Sequence, residues 1–109
     1  MNLATIIRAA ALVLAAGSAF ALPAKATNVE QGRRLARVYC ATCHAIDKVS
    51  PSPLKIAPPF RELHERYPVD MLQEALAEGL VTGHPTMPEF RFDPGQVGDV
   101  IAYLKSLEQ

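Results

Sequence analysis

The stretch that most constrains this chain is Cys40-Ala41-Thr42-Cys43-His44. It holds both cysteines of a 109-residue sequence, two residues apart and followed at once by a histidine. A disulfide between them would close a very small loop and constrain little of the unfolded chain. A thioredoxin-like redox pair needs a strand, a turn and a helix around it, and no convincing strand pattern occurs. A structural zinc site needs four ligands. Only His64 and His84 remain to complete Cys40, Cys43 and His44, at a spacing that fits no familiar zinc arrangement.

A fourth chemistry suits the motif better. Two thiols at this spacing can add across the two vinyl groups of one porphyrin, and the adjacent histidine then falls under the iron as its proximal ligand. The motif therefore predicts haem c, held by Cys40 and Cys43, with His44 on the metal. The export signal and the small size of the chain agree with this reading. Residues 1–26 read as a secretory signal peptide, because Arg8 precedes the apolar run Ala9–Gly17 and two A-x-A sites follow. Cleavage falls after Ala21 or after Ala26. The apolar run is about half the ~20 residues that a spanning helix needs. The expected domain, 27–109, buries a modest core and gains from a staple such as a cofactor. Formal net charge is zero, and loss of Arg8 and Lys25 leaves a slight acidic excess. No nucleic-acid footprint is present.

The rest of the chain reads as all-α, with long proline-rich loops. Residues 28–44 suggest a helix capped by Asn28, with Leu35, Ala36 and Val38 as a partial apolar stripe. Four prolines in 48–59 exclude a regular element there. Phe60–Tyr67 suggests a short helix, and Pro68–Gly79 a clear one, with Met71 as a packing residue. Residues 81–92 read as a loop. The last helix is the best signalled: Asp93 as N-cap, Pro94 at the first position, Gln96 for a capping box, then Val97, Val100, Ile101, Leu104 and Leu107 on one face.

Four side chains compete for a sixth position on the iron: Met71, Met87, His64 and His84. Met87 lies in a loop framed by glycine and proline, which can deliver a side chain to a haem face, whereas Met71 has helical core spacing. His64 reads as a solvated helix face. A thioether ligand favours ferrous iron and raises the reduction potential.

These residues together resemble the class I c-type cytochromes, small single-haem domains. The likeness runs from about Gly32 to Leu107 and is carried by GRRLARVYCATCH, IAPPF, GHPTMPEF and IAYLKSL. It implies a helical domain wrapped around one covalent haem, with Met87 as the second axial ligand. It implies that a proline carbonyl, from Pro58 or Pro59, accepts the other ring N–H of His44. It also implies a close crossing of the first and last helices at Gly32, with Tyr103 or Leu104 filling the contact. Phe60 and Phe90 are expected against the haem, and Arg61 or Arg91 near a propionate.

The function this implies is electron transfer in a bacterial periplasm by a monomeric carrier that is not itself an enzyme and docks transiently with redox proteins. A haem subunit fixed to a periplasmic dehydrogenase or membrane oxidase complex is the first alternative. A gas-binding or peroxidatic haem protein is the second, and Met87 argues against it.

Overall fold

The computed structural model describes residues 14–19, 27–79 and 87–108. Three α-helices and two 3₁₀ turns make up its regular structure: α1 (Val29–Tyr39), 3₁₀ segments at Phe60–Glu65 and Val69–Met71, α2 (Leu72–Glu78) and α3 (Pro94–Ser106). No strand occurs among the described residues. The expected leader and its cleavage sites fall almost wholly outside them.

α1 begins where Asn28 accepts the N–H of Gln31 on its side chain, leaving one fewer unpaired donor in the first turn. Its buried face is Gly32, Leu35 and Ala36. That face crosses α3, and the crossing is close. A Cβ added to Gly32 would stand 2.0 Å from the Asp99 carbonyl oxygen and 2.8 Å from Tyr103 Cβ. Only a residue without a Cβ lets the two backbones approach this far. Asp99 is buried, and its carboxylate accepts the Asn28 N–H at 2.7 Å, so the start of α1 is pinned to the middle of α3. The Tyr103 hydroxyl donates to the Ile46 carbonyl and ties α3 to the loop after the cysteines.

α3 has the expected cap. Asp93 accepts from the Gln96 N–H at 2.8 Å, and the Gln96 side chain accepts from the Asp93 N–H at 3.1 Å. Val97, Val100, Ile101, Leu104 and Leu107 enter one core with Leu35, Ala36, Phe60, Leu63, Val69 and Phe92.

Three expectations are corrected. α1 stops at Tyr39 instead of running through the cysteines, because the Ala41 N–H joins that of Cys40 on the Ala36 carbonyl and so leaves the i→i−4 ladder. Val38 is 70% exposed, so the buried face is Gly32, Leu35 and Ala36. Met71 is also 70% exposed: the first turn after Pro68 is 3₁₀, which rotates Met71 off the core face. Gly79 ends α2 with φ of 75°, a left-handed conformation suited to glycine.

Candidate haem site

Residues 40–43 form a tight turn directly off the end of α1. The N–H groups of Cys43 and His44 both bond the Cys40 carbonyl, at 3.2 and 3.0 Å. The two cysteines are not bridged to each other, and both are half-buried. In the chain before any attachment, burial pushes the Cys40 thiol up to about 11.

The loop after His44 is built from its own polar groups. Asp47 accepts the Ser50 hydroxyl at 2.6 Å and the N–H groups of Ser50 and Val49 at 2.6 and 2.9 Å. These bonds, led by the hydroxyl, hold its carboxyl down to about 2 from an ordinary 3.8. A depressed carboxyl contributes stability above its unfolded value and loses it as pH falls through the folded one. The loop should therefore loosen between about pH 4 and pH 2. Asp47→Asn should remove that acid dependence, readable as amide exchange at Val49 and Ser50 against pH. Arg61 donates to the Ser50 carbonyl at 2.7 Å, so it braces this loop. The other arginine expected near a propionate, Arg91, packs over Gly79.

The His44 ring is fixed by its Nδ1, which lies 2.8 Å from the Pro58 carbonyl oxygen. A carbonyl only accepts, so Nδ1 carries the proton and Nε2 keeps the lone pair. Of the two prolines expected for this bond, Pro58 makes it. Pro59 instead leads into the Phe60 turn, whose first N–H bonds the Ala45 carbonyl at 2.9 Å. Phe60 then rests against the imidazole with ring centroids 4.9 Å apart.

Two cavities of about 260 and 100 Å³ meet at these groups. Cys40, His44, Met87, Pro88 and Phe90 line both. The larger opens at Tyr39, Thr42, Leu54 and Ile56, and the smaller reaches inward to Leu63, Leu72, Leu76, Val100 and Leu104. The slot has space for far more than one water, at about 30 Å³ each, and its walls are mainly apolar. Among the candidates for a sixth ligand, Met87 lines the slot, Met71 and His64 face solvent, and His84 lies outside the described residues.

Several lining residues escaped the sequence reading, Tyr39 and Phe92 among them. Tyr39 stands edge-on to Phe90 and Phe92, and those two rings stack with 4° between their planes. A signal existed for Tyr39 and for Phe92. Tyr39 completes the i, i+3, i+4, i+7 series from Gly32. Phe92 precedes the Asp93 cap and is placed to staple onto Val97.

The donor set suits a large planar group better than a metal ion alone. Two thiols, one oriented imidazole and a thioether share an apolar slot. No cluster of three or more His, Cys, Asp or Glu able to hold a metal occurs among the described residues. The comparisons agree. Residues 27–104 match the family model described as cytochrome c oxidase, cbb3-type, subunit III. Cytochrome c-552 of Bradyrhizobium diazoefficiens is 34% identical over 101 residues, which covers 93% of this chain and 94% of that protein. The chain belongs to the c-type cytochromes, electron-transfer proteins that carry covalently bound haem c.

Proposed function

We propose that residues 27–109, freed of a leader at 1–26, form a periplasmic one-electron carrier with a single haem c. Cys40 and Cys43 would hold the haem by thioether bonds, and His44 and Met87 would ligate its iron. When bound, the haem supplies one reversible redox equivalent at its iron. The residues of the chain set the terms of that exchange. Pro58 keeps the proton on His44 Nδ1, which leaves Nε2 for the metal and raises its donor strength. Phe60, Leu63 and Leu104 keep water from the inner part of the slot, and a drier site disfavours the more charged oxidation state. Tyr39, Thr42, Leu54 and Ile56 frame the mouth at which a redox partner approaches. Encounters there are brief, on an interface at the small end of the usual range, and the carrier works as a monomer with no substrate bond changed.

The observation that carries this reading is the 2.8 Å bond from His44 to Pro58, made by a ring that shares its cavity walls with Cys40, Cys43 and Met87. A second reading is a haem subunit fixed to an oxidase, which the description of the matching family model favours. The near-complete overlap with a cytochrome c-552 favours the carrier. Copurification from native membranes separates the two: a stable complex with oxidase subunits would decide for the second.

The first test is spectroscopic. The full chain, matured with haem-attachment machinery, should show c-type bands on reduction that carbon monoxide leaves unchanged. Haem should resist extraction by acidified organic solvent, and the double variant Cys40→Ala/Cys43→Ala should release all of it. A native protein without covalent haem would overturn the assignment of the cysteines, and a fast carbon monoxide shift would overturn that of Met87.

A further inference from the structure

We infer that Tyr39 is a positioning residue that holds the Met87 loop against the haem slot. The inference rests on the reading of Met87 as an axial ligand. Tyr39 is the last residue of α1 and the neighbour of Cys40. Its ring centroid lies 5.8 Å from that of Phe90 at 69°, and 5.3 Å from that of Phe92 at 72°. Both are edge-to-face contacts, the favoured arrangement for aromatic pairs.

The two phenylalanines differ in what anchors them. Phe92 is buried in the core, and its N–H bonds the Leu76 carbonyl at 2.9 Å. Phe90 lies within the irregular chain after Met87 and lines both cavities beside Met87 and Pro88. One ring thus joins the arm that bears the cysteines to the arm that bears the thioether. A helix end is a stiff support, and an aromatic ring has few rotamers to lose. Tyr39 also lines the larger cavity beside Cys40, Met87 and Phe90. Its hydroxyl has no part in the contact, and its ring has two.

A clamp of this kind acts on the fraction of molecules in which the loop is open. Carbon monoxide reads that fraction, because it reaches ferrous iron only when the sixth ligand is off. Loss of two edge-on ring contacts should raise the open fraction about tenfold or more. Tyr39→Leu keeps an apolar side chain but removes the ring, so it should bind carbon monoxide about tenfold faster or more. It should also weaken the sulfur-to-iron charge-transfer absorption of the ferric protein. Tyr39→Phe keeps the ring and should match the native protein on both measures.

Met87→Ala sets the fully open limit. If that variant binds carbon monoxide no faster than the native protein, the ligand reading fails. If Met87→Ala is fast while Tyr39→Leu keeps the native rate and absorption, the clamp fails and the ligand reading survives. Should Tyr39→Leu not mature, Phe90→Leu removes the other half of the contact and leaves α1 intact. The same acceleration is expected there, and a native rate overturns the inference.

Discussion

Met87→Ala should convert a closed haem into an open one. Its reduced spectrum should shift on adding carbon monoxide, where the native spectrum stays fixed. Its reduction potential should fall by on the order of 0.1 V, a modest part of the roughly 0.8 V that axial ligation commands. The sign follows from ligand softness. A thioether donates weakly and stabilises ferrous iron, so its loss to water or hydroxide favours the ferric state. Met71→Ala is the matched control, since that side chain is 70% exposed and outside the slot. A Met87→Ala protein with native potential and no carbon monoxide shift would remove Met87 from the iron. His84 would then be the next candidate to replace.

Gly32→Ala should cost the domain much of its stability while leaving every haem-contacting residue in place. In an isolated helix this change gains about 1 kcal/mol. Here the new methyl would stand 2.0 Å from a backbone carbonyl oxygen of α3 and 2.6 Å from its carbon. A flexible side chain could swing aside, but a helix backbone cannot. Overpacking of this kind costs about 1–3 kcal/mol, occasionally more, and a clash with backbone belongs at the upper end. A net loss of about 2 kcal/mol lowers Tm by roughly 10 °C in a domain of this size. Thermal unfolding followed by helix signal and by haem absorbance reads it directly. An unchanged Tm would mean that the two helices pass at a greater distance. The two predictions separate cleanly, because one alters the iron and the other the frame.

Legibility in the sequence tracked how local each signal was. α3 could be read in full, because Asp93, Pro94 and Gln96 define its start within four residues and its apolar face repeats through Leu107. The grouping of the cysteines and His44 was equally local, since it is a matter of spacing, and the structure sets the three around one turn. The bond from His44 was legible as a choice between Pro58 and Pro59, and the choice depends on how the Phe60 turn meets Ala45. That is a tertiary fact. The end of α1 was missed for a related reason. Nothing in the composition of 36–44 breaks a helix, and the stop comes from two N–H groups sharing the Ala36 carbonyl. Met71 was misassigned because a 3₁₀ turn and an α-turn share similar residues but point them differently.

The Gly32–Asp99 crossing also fixes an order of events in the life of the chain. It joins residues near the two ends of the domain, so the contact closes a loop that contains nearly all of the intervening sequence. Such a closure carries a large entropy cost before any contact repays it. The main packing face of α1 is therefore incomplete until α3 forms, and α3 follows every other described element along the chain. Until it arrives, Val100 and Leu104 are absent from the slot, and the walls that bury Cys40 are incomplete. A chemistry that must reach both thiols therefore meets a more open site before α3 docks than after it.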